Sequence, residues 1–262
     1  MTKTSLARLR TAAVPVLLAA ILAFPPSAAC QKKAKGSDKD PQYQYEKGVV
    51  ALNYGLTDEA IRYGNLAVSL DPNHYGGHSL LGNAYFKKGE FAEAIGAFEK
   101  AAALKPDLAE ARANLGLAYY EAGELEKAEA ALTKAAAGKP DAVTSFSLAK
   151  VYLKLGKLEE ALAEAGNSIR LNGSNPGAYN LKGVVLNQLG RYVEAAGSFE
   201  AGLILSPEDV NLRINLGISY ANSNEPDKAR SVFEKVIPAI EDPALKAKVE
   251  EYLKSLKDPG GN

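Results

Sequence analysis

Cysteine is nearly absent: Cys30 is the only one in 262 residues. No intramolecular disulfide can form, so the fold must stand on packing alone. Histidine is almost as scarce, with only His74 and His78. Nucleophilic catalysis needs a Ser or Cys beside a base; both histidines fall at one end of one expected helix, and no such pair is visible. An excess of basic charge is missing too, since 31 Lys and Arg stand against 31 Asp and Glu. That balance, with no basic stripe, argues against nucleic-acid binding. Apolar runs are confined to one stretch, "TAAVPVLLAAILAF" at 11–24, interrupted by Pro15. Its 14 residues fall short of the ~20 a membrane span needs.

The run follows Lys3, Arg8 and Arg10 and is ended by Pro25 and Pro26. A basic start, a short apolar stretch and small residues before a cut describe a secretory signal peptide, expected over 1–29; the alternative is an anchor that stays in place. Ser27, Ala28 and Ala29 before Cys30 resemble the lipobox of bacterial lipoproteins, although Ser27 departs from the Leu that the pattern prefers there. The resemblance implies lipidation of Cys30, and two or more acyl chains make a stable membrane anchor. Gln31 after the cysteine implies, by the same resemblance, an outer-membrane lipoprotein facing the periplasm. The same three residues also suit ordinary signal peptidase, which would leave a soluble periplasmic protein with a leftover thiol. Either cut leaves 28 basic against 31 acidic residues, a net charge near −3. "QKKAKGSDKDPQ" follows, polar and without apolar periodicity, so 30–40 read as a flexible, lipidated N-terminal spacer.

The body of the chain repeats. "GNAYFKKGEFAEAIGAFEKAAALKP" (82–106) and "GLAYYEAGELEKAEAALTKAAAGKP" (116–140) agree at Gly, Ala-Tyr, Gly, Ala and Pro with an offset of 34. This resembles the tetratricopeptide repeat, which is a helix–turn–helix unit. In that family's frame six repeats span 41–242, as 41–74, 75–108, 109–141, 142–175, 176–209 and 210–242. Position eight is Gly48, Gly82, Gly116, Ala149, Gly183 and Gly217; position twenty is Ala60, Ala94, Ala128, Ala161, Ala195 and Ala229. Small residues there let two helices approach closely. Gly55, Gly89, Gly123, Gly156 and Gly190 take the turn, where a left-handed residue ends a helix. Pro72, Pro106, Pro140 and Pro207 stop the second helix. Gly173 replaces that proline within "NGSNPG" (172–177), so a looser junction is expected there. "PALKAKVEEYLKSL" (243–256) places Leu245, Val249, Tyr252, Leu253 and Leu256 at helical spacing, an amphipathic cap expected over 243–257 before a tail at 258–262. The expected fold is all-α: an α-solenoid of six helix pairs and a capping helix.

His74 and His78, four apart, could share a metal on a helix. However, His74 sits in a turn, Gly76 and Gly77 weaken the helix start, and no third ligand adjoins. Neither a metal nor a cofactor is expected, and enzyme activity is not. The resemblance implies instead that positions 2, 5, 9 and 12 of each first helix line a concave protein-binding groove. Position 5 supplies Tyr45, Phe146 and Ile214; position 9 Val49, Asn83, Leu117, Lys150, Val184 and Ile218; position 12 Leu52, Phe86, Tyr120, Leu153 and Asn187. A surface this apolar usually marks a binding site; a register shifted by one would make it core. The chaperone co-factors of this family grip a terminal carboxylate with cations and asparagines. Asn83 and Asn114 match, but Ser79, Val143 and Ser147 stand where the cations belong, so that clamp is incomplete. An apolar segment or amphipathic helix suits the groove better, with Lys150 and Lys154 adding a preference for an acidic residue.

The expectation is a membrane-tethered scaffold binding a protein in the bacterial envelope. Its layout and length resemble the type IV pilus pilotins, which help a secretin assemble. Two other readings stay open: an adaptor for cell-wall enzymes or proteases, and a hydrolase with an unrecognised site.

Overall fold

The computed structural model describes residues 38–138 and 140–256. Cys30, the leader, most of the spacer and the tail lie outside the described residues. Among the described residues there are thirteen α-helices, one short 3-10 turn and no strand. The helices are α1 (Pro41–Asn53), α2 (Thr57–Leu70), α3 (Tyr75–Lys88), α4 (Phe91–Leu104), α5 (Ala109–Glu121), α6 (Leu125–Gly138) and α7 (Ala142–Lys154). They continue with α8 (Leu158–Leu171), α9 (Pro176–Gln188), α10 (Tyr192–Leu205), α11 (Val210–Asn222), α12 (Pro226–Val236), the 3-10 turn Ile237–Ala239 and α13 (Pro243–Ser255). The chain forms two compact units, one ending at Gly77 and one beginning at His78.

Local chemistry explains the boundaries. Asp40, Asp141, Asn175, Asp209 and Asp242 each cap a helix by accepting a backbone N–H from its first turn. Pro41, Pro176, Pro226 and Pro243 start helices where no amide hydrogen is needed. Within pairs, the turn glycines take φ between +73° and +81°. The residue after each glycine then donates back to the carbonyl five residues earlier, as Glu124 does to Tyr119 at 2.9 Å. The sixth turn uses Asn224 at φ +63°, the non-glycine residue that tolerates this region best. The "NGSNPG" junction is bonded rather than loose. Asn172 Oδ1 accepts from the Ser174 N–H and hydroxyl at 3.1 and 2.9 Å, and Asn175 caps α9.

The two helices of a pair meet where the first has no side chain. A Cβ on Gly82 would stand 2.5 Å from Phe98, one on Gly183 2.5 Å from Phe199, and one on Gly217 2.5 Å from Phe233. At Gly116 it would stand 2.6 Å from Leu132 Cγ. All four large side chains are buried. In the fourth pair Ala149 faces a cluster containing Ala161 and Ala165 instead.

Polar contacts join one pair to the next. The Tyr119 hydroxyl donates to Glu99 Oε1 at 2.6 Å, and that of Tyr220 donates to Glu200, the same twenty-residue offset. Burial first, and the carboxylate second, push both phenols up to about 12. At the C-terminal end Leu245, Val249 and Leu253 of α13, with Leu256 just after it, pack with Phe233, Val236 and Ile240. Arg230 Nη2 donates to the Leu256 carbonyl at 2.8 Å, pinning α13 to α12.

Gly116→Leu is expected to lower the thermal midpoint far more than Gly138→Leu. A Cβ on Gly138 meets nothing nearer than Ala109 at 3.8 Å, whereas overpacking costs about 1–3 kcal/mol. Scanning calorimetry of both variants is the check; equal losses would contradict this packing.

Candidate binding groove

Within the second unit the first helices of successive pairs touch one another, α5 with α7, α7 with α9 and α9 with α11. Side chains bridge each step. Lys150 Nζ lies 4.3 Å from the centroid of the Tyr120 ring and 3.9 Å from Glu121 Oε1. Phe146 reaches toward Gly177, with its Cζ 3.7 Å from where a Cβ would stand. Asn215 Nδ2 donates to Asn180 Oδ1 at 2.9 Å, and the Ser219 hydroxyl donates to Asn187 Oδ1 at 3.0 Å.

This face mixes half-buried apolar groups with a few satisfied polar ones. Leu117, Tyr120, Phe146, Lys150, Leu153, Val184, Asn187 and Ile218 are all half-buried. Each ring stands on a different stretch of core. Phe86, on α3, packs on Ala94 and Phe98 and lies edge-on to Phe91 at 5.6 Å. Tyr120 packs on the cluster of Tyr119, Leu132 and Leu148, and Phe146 on that of Ala149, Ala165 and Leu181. No ring contact joins these three among the described residues. Burial, aided by the Glu121 carboxylate, holds the Tyr120 phenol above its ordinary value. The Lys150–Glu121 pair is a partly exposed ion pair and contributes about 0–1 kcal/mol. Its main effect is to place a cation over Tyr120.

One of the expected groove residues falls differently from the expectation. Ile214 is 7% exposed and belongs to the cluster of Phe233, Val236, Ile240 and Val249, so it is core. Its place is covered because the 3-10 turn and α13 follow the last pair. Asn187 lines the face, but one of its acceptor sites is committed to Ser219. Asn83 is exposed and apart from these bridges. Tyr45, in the first unit, leans on His74 at 5.7 Å and on the backbone of Gly76. Val49 and Leu52 of that unit are half-buried. His74 itself caps α3: its Nδ1 accepts from the Gly77 N–H at 2.9 Å and its Nε2 meets Gln42 Oε1 at 3.2 Å. Both nitrogens are thereby engaged. The inter-helix partners Asn215 and Ser219 were not among the expected groove residues, whereas Asn180 stands at position 5, one of the groove positions; the signal was polar residues recurring on consecutive first helices. A separate concavity of about 510 Å³ opens among α8, α9 and α10, with Arg170, Lys182 and Arg191 on its walls. Glu194 holds Arg191 in a two-point ion pair at 2.7 and 2.6 Å.

A family model described as the cilia and flagella-associated protein 70 C-terminal domain, a tetratricopeptide-repeat model, matches residues 2–251. The chain belongs to this tetratricopeptide-repeat family. TPR repeat-containing protein MJ1428 of Methanocaldococcus jannaschii is 26% identical over 227 residues, 82% of this chain and 34% of that protein. The chain therefore spans about a third of the curated relative it matches. Among solved structures, PilF of Pseudomonas aeruginosa is similar with a TM-score of 0.72 at 19% identity, over 83% of this chain and 99% of PilF. YrrB, described as a TPR protein with an unusual peptide-binding site, is similar with a TM-score of 0.62 at 22% identity, over 72% of this chain and 97% of YrrB. The Cut9–Hcn1 hetero-tetramer of the APC/C gives a TM-score of 0.67 at 19% identity, over 83% of this chain and 43% of that one. At these identities the structural likeness establishes the α-solenoid fold alone.

Two neighbouring isoleucines of this repeat protein separate core from face. Ile214→Ala is expected to cost about 2–5 kcal/mol, the range for emptying a buried aliphatic site, and the half-buried Ile218→Ala well under that. Urea unfolding of both variants measures the difference.

Proposed function

We propose that this protein is a membrane-tethered scaffold that captures a protein partner on the faces of its first helices. The observation that carries the reading is the run of half-exposed apolar side chains from Leu117 and Tyr120 through Phe146, Leu153 and Val184 to Ile218, on helices that touch in succession. Apolar groups held in place by a rigid scaffold, with few polar anchors, suit an apolar segment or an amphipathic helix. The peptide-binding site described for YrrB and the hetero-tetramer described for Cut9–Hcn1 support protein binding as the general use of such a fold. Scaffolding needs no catalytic group, and this reading assigns none. Lys150 over Tyr120 adds a preference for an acidic residue on the partner. In the finer reading, Cys30 is lipidated and holds the scaffold at the outer membrane, facing the periplasm. A pilotin-like part in secretin or pilus assembly is supported by layout and length; an adaptor role for cell-wall enzymes is the alternative.

Alanine variants at Phe86, Tyr120 and Phe146 test the face. Truncating an aromatic anchor often costs about 2 kcal/mol, roughly a thirtyfold loss of affinity. Capture of a partner from membrane extracts is expected to fall by that factor at Tyr120 while the thermal midpoint moves little. Retained capture by all three variants would move the partner elsewhere.

The tether has its own test. Labelled palmitate is expected to enter the wild-type protein and to be lost in Cys30→Ala, which also leaves the membrane fraction or remains unprocessed. Absence of label on the wild type would favour an ordinary signal-peptidase cut.

A further inference from the structure

Within the second unit, position ten of each repeat faces the preceding pair. Ala118 lies with Ala94 and Phe98 of the second pair, and Val185 with Ala161 and Ala165 of the fourth. Ala118, Val151, Val185 and Ser219 are all fully buried there. The first pair carries Val50 at this position, and it is 54% exposed. Beside it Tyr54 is 78% and Leu56 50% exposed. Leu56 holds position sixteen, where the other five pairs have Glu90, Glu124, Lys157, Arg191 and Glu225. Position sixteen of the first pair is thus apolar where every other pair is charged, and Leu56 there shares a surface with the exposed Val50 and Tyr54. A terminal repeat that ends in water needs the opposite, a polar outer face.

Val50, Tyr54, Leu56 and Tyr63 line a shallow concavity of about 330 Å³, with Glu46, Lys47 and Glu59 on its walls. Lys47 lies 4.8 Å and Arg62 4.2 Å from the centroid of the Tyr63 ring. The patch therefore carries two acids and two bases around its apolar strip. We propose that this face is the contact with a second copy of the chain, packed about a twofold axis. A twofold contact sets a patch against itself. A patch of one sign would repel its copy, whereas this one offers each copy both signs. The apolar strip supplies the burial, and the mixed charges set the register. This inference stands independently of the groove.

Sedimentation velocity of the purified full chain, carrying Cys30→Ser so that thiol chemistry adds nothing, tests it in density-matched detergent. A reversible dimer is expected. Leu56→Glu puts at position sixteen the residue that three other pairs already carry, so it suits the fold; it should weaken dimerisation at least tenfold, as should Tyr54→Glu. Val193→Glu, at a 71% exposed site on α10, should leave dimerisation unchanged. Helical circular dichroism checks each variant. A wild type that stays monomeric at all concentrations overturns the proposal and points to another occupant, such as residues 11–24 or a different protein. So does a dimer that survives Leu56→Glu and Tyr54→Glu, or one that Val193→Glu weakens equally.

Discussion

The depth to which two helices of a pair can sink into each other is set by one contact, a large side chain of the second lying on a bare backbone position of the first. With Phe98, Phe199 or Phe233 about 2.5 Å from where a Cβ would be, any side chain at Gly82, Gly183 or Gly217 would push the pair apart. The ring is buried by its own pair, and the pair's spacing then sets where its outer faces stand. Burying one such ring contributes about 1.5–3 kcal/mol, so the contact is also a main source of stability. Each repeat touches mainly its neighbours, and an error in one spacing is passed along the stack.

The fourth pair solves the same problem with other parts. Its first helix carries the Ala149 methyl, and Ala165 stands twenty-four places into the repeat where the second, fifth and sixth have Phe. The cluster around Ala149, Ala161 and Ala165 is completed from its edges by Phe146, Leu153, Leu158 and Leu162. Phe146 is accordingly a packing residue on one side and a face residue on the other. Core packing responds to total volume as well as to individual shapes, so a ring absent from the middle of the pair is offset by one at its rim.

Much of this was legible in the sequence because repetition averages out local ambiguity. A single Gly-x-Ala-Tyr would mean little; five turn glycines and four helix-ending prolines in one frame mark helix, turn and helix, and the α-solenoid class follows. The pairing of position eight with position twenty-four was not read, because the partners lie sixteen residues apart on different helices and only their sizes are linked. Ile214 was read as face because the frame treats all six pairs alike. Physically the last pair differs: its first helix has no following pair, and the 3-10 turn with α13 closes over it. Asn180 and Asn187 stand at groove positions 5 and 12, where the frame says nothing of partners, yet the first helix of the next pair uses both as acceptors. Repeat arithmetic sees one unit at a time, and these are properties of junctions and ends.

The same distinction bears on what the face can recognise. A groove whose polar groups are already paired across helices offers a partner few unsatisfied donors or acceptors, and an exposed ion pair such as Lys150–Glu121 is cheap to rearrange. Specificity must then come mainly from shape, from where Leu117, Tyr120, Leu153, Val184 and Ile218 stand. Their positions depend on how deeply each pair is closed, which returns to the glycines. A side chain at Gly116 would displace Leu132, and Leu132 shares a cluster with Tyr119 and Leu148 on which Tyr120 rests. The recognition surface is therefore not independent of the core beneath it: the residue with no side chain positions the ring that a partner would meet.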